Sequence, residues 1–553
     1  MTYLLATNGI DAYWPLLLRE GLDLIEKKAA LSELSRVCFL FLVVLMLLAF
    51  TRYNWRKYFG EFHTTAMEDI RQTIFRHLMG MSQKFFQKNP VGELMSLITN
   101  DVQSFRQAIG PGFLIIADGV IIISFVLPIM ISINPEWTWK TLILFPLLPF
   151  LIWKVMRAIH QNYKTQQHEF AKLTAFTQEN VAGVRVIKSF TKENLRSEQY
   201  SAQSKQFEKT CNKVALIDSM FGPVMELGIA FGSVVLLFIS VDDVLSGAVT
   251  IGTFVIFQRY IQKMIWPVSA FGFGISYFQK GFASFDRIKE ILKWSPDIKD
   301  EGTIELTEIK SFELRNVSFS YPFNDQEALH DLSFRLEKGQ KLGVIGGIGS
   351  GKTTLLQLMV RLYEPQLGEI LINDRPIAEY TLRSLRNCIK LIPQDPFLFS
   401  QSVADNVLFA NPAPSDDFLA STLESVQMDL EVAELPHQHR TQLGEKGVNI
   451  SGGQKQRLTI ARALASPFEL LLFDDNLSAI DTKTENYLEK SLFLDHQRTI
   501  VVVSHRLSSL MKMDKLLVLK EGQSEYFGSF AKAFEESPTF KSFLQLQEMH
   551  HGS

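Results

Sequence analysis

The sequence predicts an α-helical membrane half followed by an α/β half built around a phosphate-binding loop. Three observations predict it. Residues 34–160 and 214–280 are dense in Leu, Ile, Val, Phe and Met, whereas charges are spread throughout the chain after about residue 300. Residues 341–363 read as a β-branched apolar strand, a glycine-rich turn and an amphipathic helix, in that order. An apolar run at 470–473 then ends in two adjacent acids, Asp474 and Asp475. A chain of 553 residues is too long for one core, and about 150 residues per domain allows two to four domains.

A helix needs about 20 mostly apolar residues to cross the hydrocarbon. Residues 113–133 are the clearest crossing, followed after a short loop by 141–155; residues 216–241 are followed by 248–257, which continues less cleanly to about 278. The run 37–50 holds 14 uninterrupted apolar residues, and Leu31, Leu34, Tyr53 and Trp55 extend it to spanning length. Five crossings are therefore expected. Their orientation follows from Lys and Arg in the connections. Segment 51–112 carries eight and segment 156–215 carries ten, while 134–140 has only Lys140 and 241–247 has none. The two long connections are expected to face the cytoplasm, with the α/β half on the same side. That places the first 30 residues outside. Residues 8–30 are amphipathic and charged and do not read as a crossing, so a helix preceding this sequence is expected.

Asp118 and Glu226 interrupt apolar stretches, and acids at such depth mark either a substrate contact or a carboxyl bonded to a neighbouring helix. Arg259 and Lys263, four apart on the last apolar helix, suggest a water-facing side that lines a cavity. Segment 200–213 interleaves charges with polar residues and reads as a solvated helix without chemistry.

A net charge of −3 argues against the broad basic surface that sequence-independent nucleic-acid binding requires. Cys38, Cys211 and Cys388 stand far apart, without metal-ligand spacing, so neither a disulfide framework nor a zinc site is suggested.

The run GGIGSGKT, Gly346 to Thr353, fits the phosphate-loop pattern with the strand before it and the helix after it that the pattern requires. Gly346, Gly347, Gly349 and Gly351 let backbone N–H groups curl round an anion, with Ser350 and Thr354 in the same turn; the helix N-terminus adds its dipole. Lys352 reaches the β- and γ-phosphates, and the Thr353 hydroxyl is a ligand for Mg²⁺. An apolar strand ending in an acid holds the metal opposite such a loop, which assigns that role to Asp474. The half is expected to bind a nucleoside triphosphate.

Between these motifs lies ISGGQ, 450–454. At this point the chain resembles the ATP-binding cassette (ABC) family, whose LSGGQ signature it matches with one conservative change. The order phosphate loop, signature, apolar-Asp strand is the family's order, and a helical membrane half ahead of one cassette resembles an exporter half-transporter. The resemblance implies a transmembrane domain over 1–295 and, over 310–545, a RecA-like P-loop nucleotide-binding domain with antiparallel β and helical subdomains. It implies ATP and Mg²⁺ as cofactors. Tyr321 in FSYP matches the aromatic that stacks on adenine. Gln394 in IPQDPFLF matches the glutamine that touches Mg²⁺ and the attacking water, and His505 in VVVSHRL matches the switch histidine at the γ-phosphate. Ser451, Gly452, Gly453 and Gln454 belong to the signature, and Asp481 matches the aspartate that crosses the dimer interface. LGEKG, 443–447, resembles the family's short acidic segment, and 92–105 and 179–194 resemble the two connections that end in coupling helices. The family's membrane half has six helices, against the five read here.

In the family the acid after the metal-binding aspartate is normally a glutamate that manages the attacking water. Here it is Asp475. One methylene less withdraws the carboxylate by about 1 Å, and a misplacement of that size costs on the order of a hundredfold in rate. The site is expected to bind ATP and to hydrolyse it poorly. A sound signature beside a weak base resembles one chain of an asymmetric pair of bacterial multidrug-resistance-like exporters, the run DDNLSAID included, although Asn476 departs from the small residue usual there. The resemblance therefore implies a second, non-identical half-transporter as partner, a hydrophobic or amphipathic substrate, contact with membrane lipids, and an inner (cytoplasmic) membrane location. A homodimer with two slow sites, an ATP-gated channel and a soluble chromosome- or repair-type ATPase are the rival readings.

Overall fold

The computed structural model describes residues 1–553 apart from 144, 146, 323–325, 412–414, 476–483, 486, 489, 491–497 and 552–553. The chain divides into two compact units, Met1–Met79 with Val91–Trp294, and Gly80–Pro90 with Ser295–Ser553.

The first unit is helical: α1 (Thr2–Glu26), α2 (Leu31–Met79), α4 (Val91–Ile133), α5 (Pro135–Leu142), α6 (Leu147–Ala182), α7 (Val184–Ser189), α8 (Glu193–Asp218), α9 (Phe221–Leu245) and α10 (Ile251–Leu292). Local chemistry sets some of these ends. Asn134 caps α5 by accepting from the N–H groups of Glu136 (3.0 Å) and Trp137 (3.1 Å), and Pro135 takes the first helical position, where its missing N–H costs nothing. Among the described residues, three helical runs are long and apolar enough to cross a membrane: Leu31–Met79, Val91–Ile133 and Glu193–Leu245. The expected crossing at 141–155 is instead shared between the end of α5 and the start of α6, and that at 248–278 lies in α10 outside this set. The unit's core gathers Val126 and Met130 of α4, Trp137 of α5, Leu236 of α9, and Ile256, Phe257, Tyr260 and Ile261 of α10. Helix α8 has no buried residue, as its interleaved charges suggest.

The opening residues form a helix. Asp11 of α1 is neutralised by Lys263 of α10 (2.7 Å) and Arg52 of α2 (3.2 Å), and Tyr260 Oη donates to Ala12 O at 2.8 Å. This corrects the reading of Lys263 as a cavity-lining cation: its ammonium is engaged with Asp11. Asp118 is bonded to neighbouring helices, accepting from Asn8 Nδ2 (2.8 Å) and Trp266 Nε1 (3.0 Å).

In the second unit, a short helix, α3 (Gln83–Lys88), accompanies two sheets. One sheet joins β1 (Ser311–Ser320), β2 (Glu327–Glu337), β4 (Leu367–Ile372) and β5 (Arg375–Pro376) in the antiparallel order β2-β1-β4-β5. The other has the order β10-β9-β3-β8-β7-β6, from β3 (Lys341–Gly346), β6 (Ile389–Ile392), β7 (Leu470–Asp474), β8 (Thr499–Val503), β9 (Lys515–Lys520) and β10 (Gln523–Gly528). It is parallel except for β10. Strands β3, β7 and β8 are buried along their whole length, the continuous apolar reading of a sheet covered on both faces. Helix α11 (Lys352–Met359) leaves β3, and its Leu355, Leu356, Leu358 and Met359 pack into the core beneath the sheet.

Candidate functional site

Register brings the predicted motifs together. Val344 of β3 lies opposite Val503 of β8, which lies opposite Asp474 of β7. The chain therefore leaves three neighbouring strands at one level, delivering Gly346, Asp475 and His505 to a single edge. In open α/β sheets ligands bind outside the carboxyl ends of the strands. A cleft of about 380 Å³ opens there, lined by Tyr321, Gln326, Glu327, Ala328, Ile348, Gly349, Ser350, Gly351, Lys352, Thr353, Thr354, Gln394, Asp474, Asp475, Val503 and His505.

The loop between β3 and α11 needs its glycines. Gly349 has φ +77° and Gly351 φ +96°, and a Cβ on Gly351 would meet Ala328 O at 2.5 Å and Leu329 Cδ2 at 2.6 Å. Lys352 folds back so that its ammonium donates to Gly346 O (2.9 Å) and Gly347 O (2.8 Å). Burial lowers its pKa, and the charges of Asp475 and Asp474 oppose that shift. Ser350 Oγ is buried with no hydrogen-bond partner among the described residues. A cationic loop of backbone N–H groups with an unsatisfied hydroxyl suits an anion the size of a phosphate chain.

Thr353 Oγ1 donates to Asp474 Oδ1 at 3.1 Å, tying the first turn of α11 to the end of β7. Burial pushes the Asp474 carboxyl up, with the Thr353 hydrogen bond opposing it. A hydroxyl and a buried carboxylate, with the Gln394 amide lining the same cleft, make an all-oxygen donor set of the kind Mg²⁺ takes in addition to phosphate oxygens and water. The residues present thus fit the implied metal.

Asp475 has a backbone φ of +48°, and its N–H donates to Val503 O at 3.1 Å. Asp and Asn tolerate this left-handed region better than other residues with side chains. Burial raises the Asp475 carboxyl, and the charges of His505, Lys352 and Arg506 oppose the rise. Tyr321 lies at the other side of the loop. Its hydroxyl meets Thr354 Oγ1 (2.9 Å) and donates to Gln357 Oε1 (3.0 Å), while its ring packs edge-on against Phe319 and Tyr363.

The cleft gathers Tyr321, Gly349, Ser350, Gly351, Lys352, Thr353, Thr354, Gln394, Asp474, Asp475 and His505. Gly346 and Gly347 hold the Lys352 ammonium just behind it. Ser451, Gly452, Gly453 and Gln454 are not among its lining residues; they start helix α12 (Gly452–Leu464). Ser451 and Gln454 form a reciprocal capping box there, with Gln454 N donating to Ser451 Oγ (3.3 Å) and Ser451 N donating to Gln454 Oε1 (2.8 Å). Glu431 then accepts from both Gln454 Nε2 and Arg457 Nη2, each at 2.7 Å. Asp481 and Asn476 lie outside the described residues. Gln326, Glu327 and Ala328, at the start of β2, were not singled out from sequence; the one signal available was their place a few residues after the aromatic in FSYP.

The first unit holds a separate apolar cavity of about 720 Å³, lined among others by Ile123, Leu127, Trp139, Met264, Val268 and Phe271.

A phosphate-loop cleft at the carboxyl edge of a parallel sheet, carried with a helical unit containing membrane-length helices, defines an ATP-binding cassette protein of the membrane-fused class. Comparison agrees. The family model for the ABC transporter transmembrane region matches residues 2–268, and that for the ABC transporter matches residues 329–478. The probable multidrug resistance ABC transporter ATP-binding/permease protein YheI of Bacillus subtilis (strain 168) is 32% identical over 557 residues, covering 99% of this chain and 94% of that protein. The multidrug resistance-like ATP-binding protein MdlA of Escherichia coli (strain K12) is 32% identical over 511 residues, covering 90% and 85%. The ATP-dependent lipid A-core flippase of Pasteurella multocida (strain Pm70) is 28% identical over 552 residues, covering 99% and 94%. A solved structure of a bacterial Atm1-family ABC exporter with ATP bound shares the fold, with a TM-score of 0.81 at 21% identity over 99% of this chain and 97% of that one. The chain belongs to the ABC transporter family, with a transmembrane region and an ATP-binding domain in one polypeptide.

Proposed function

We infer that this protein is one half of a dimeric ABC exporter that moves amphipathic small molecules or lipids across the cytoplasmic membrane, and that its own ATP site hydrolyses slowly. The transmembrane domain is taken as 1–295 and the nucleotide-binding domain as 310–545, the latter in the cytoplasm. Asp475 carries the reading of a slow site, as a carboxylate about 1 Å short of the family's glutamate, beside Lys352, Thr353, Gln394, Asp474 and His505 in the lining of the cleft.

In this reading Tyr321 supports the adenine, the loop from Gly346 to Thr354 holds the phosphates with Lys352 at the β- and γ-groups, and His505 meets the γ-phosphate. Thr353, Gln394 and Asp474 would hold Mg²⁺, which would supply charge neutralisation at the transferring phosphoryl group. Asp475 is the candidate base for the attacking water. In the same reading Ser451, Gly452, Gly453 and Gln454, at the capped start of α12, serve a partner's nucleotide, and Asp481 belongs to the dimer interface. The partner is a second half-transporter whose base is a glutamate. The names of the similar multidrug proteins and of the lipid A-core flippase support an amphipathic substrate, as does the apolar cavity of about 720 Å³.

The test is ATP turnover and flux in vesicles containing the chain alone or with a glutamate-bearing second subunit. Substrate-stimulated turnover and uphill transport only in the pair support the reading. Downhill flux without stimulation identifies a gated channel instead.

A further inference from the structure

The lining of the nucleotide cleft includes one acid that the phosphate and metal chemistry leaves unused. Glu327 opens β2 and faces the same cleft as Lys352 and Thr353. A carboxylate close to a polyphosphate is repelled by it. An acid in this lining therefore calls for a part of the ligand that donates hydrogen bonds.

Its position identifies that part. Glu327 pairs with Ser320 across the β1–β2 ladder, and Tyr321 follows Ser320 directly. In the other direction Glu327 is followed by Ala328, whose carbonyl oxygen lies so near the phosphate loop that a Cβ on Gly351 would meet it at 2.5 Å. Glu327 thus stands between the Tyr321 ring and the loop. A nucleotide runs base, sugar, phosphates; with its base on Tyr321 and its phosphates on the loop, its sugar falls at Glu327. The backbone there is held on both sides, since Leu329, fully buried, pairs with Phe319, and His330 N donates to Gly522 O at 2.9 Å. The Glu327 side chain is about half exposed. His330 Nδ1 lies 2.6 Å from Oε2 and steadies the carboxylate, while Oε1 accepts no hydrogen bond among the described residues. Carboxylates in other nucleotide folds hold ribose hydroxyls in the same way.

We propose that Glu327 reads the sugar of the bound nucleotide: its carboxylate accepts a hydrogen bond from a ribose hydroxyl and makes the site select ribonucleoside over deoxyribonucleoside triphosphates. This role rests on the reading of the cleft as an ATP site.

The test is calorimetric titration of the purified full chain with ATP, 2′-deoxy-ATP, 3′-deoxy-ATP and inorganic tripolyphosphate, each with Mg²⁺. ATP is expected to bind about tenfold more tightly than at least one of the deoxy compounds, the worth of one charge-assisted hydrogen bond. Glu327→Ala should weaken ATP about tenfold, erase that preference, and weaken neither the disfavoured deoxy compound nor tripolyphosphate. A carboxylate that was only a charge on the rim would give the opposite sign, because its removal would tighten ATP. Equal wild-type affinity for ATP and both deoxy compounds, or a preference that survives Glu327→Ala, overturns the proposal. So does a parallel loss of tripolyphosphate affinity, which assigns Glu327 to the shape of the loop. A loss of preference for ATP over inosine triphosphate, with the deoxy ratios intact, moves the contact to the amino group of the base and also overturns it. Wild type that binds none of these ligands contradicts the ATP reading itself, and the proposal with it.

Discussion

The backbone N–H of Asp475 donates to Val503 O at 3.1 Å, one residue past the end of β7, and holds residue 475 at φ +48°. Asp475, proposed above as the candidate base, is thus also a residue type suited to a left-handed backbone. Asp475→Asn is expected to keep the fold and nucleotide binding. Asp475→Ala pays a left-handed penalty of about 1–2 kcal/mol, so its melting temperature should fall below that of the Asn variant. Equal melting temperatures would show that the backbone at 475 relaxes freely.

Much of the nucleotide cleft was legible because its residues are set by local motifs at strand ends: GGIGSGKT after β3, the two acids after β7 and His505 after β8. What the motifs do not contain is which strands neighbour one another, and register alone brings Val344, Val503 and Asp474 level. Gln326 to Ala328 escaped notice because they reach the cleft through the antiparallel sheet, with no phosphate chemistry of their own. In the helical unit the amphipathic start misled more. Asp11 and Lys263 are 252 positions apart, and no periodicity within either helix reveals a pairing at that separation.

Stability should depend on pH through the two cleft acids. Burial raises both carboxyls above the unfolded aspartate value of about 3.9. The folded state therefore binds protons more tightly, and stability falls as pH rises from the unfolded value through the folded one. Asp475→Asn removes part of that penalty. It is expected to raise the nucleotide-free melting temperature at neutral pH, with the gain shrinking as pH is lowered into the range of an ordinary aspartate. A gain that grew on acidification would contradict the assigned shift.

Metal dependence isolates Asp474. Titration with a fluorescent ATP analogue, with Mg²⁺ and then with EDTA, should show the wild type losing affinity on chelation. Asp474→Asn should start weaker and respond little, since the carboxylate that accepts from Thr353 at 3.1 Å is gone. An undiminished EDTA effect in that variant would remove Asp474 from the metal site.

Glu431 tests the start of α12 independently of the cleft. It accepts from Gln454 and from the largely buried Arg457, so Glu431→Ala strands both donors. With Glu431 itself partly exposed, the expected cost is about 1 kcal/mol, read as a lower melting temperature with nucleotide affinity of the isolated chain unchanged. Lost affinity in the lone chain would place the signature at its own nucleotide.

The most direct measurement is steady-state ATP turnover by the purified chain alone, before and after Asp475→Glu. A base set back by one methylene predicts slow turnover in the natural protein and a rise of about tenfold to a hundredfold with glutamate, the range a repositioned general base supplies. Brisk turnover by the unmodified chain, unimproved by the longer side chain, would contradict it.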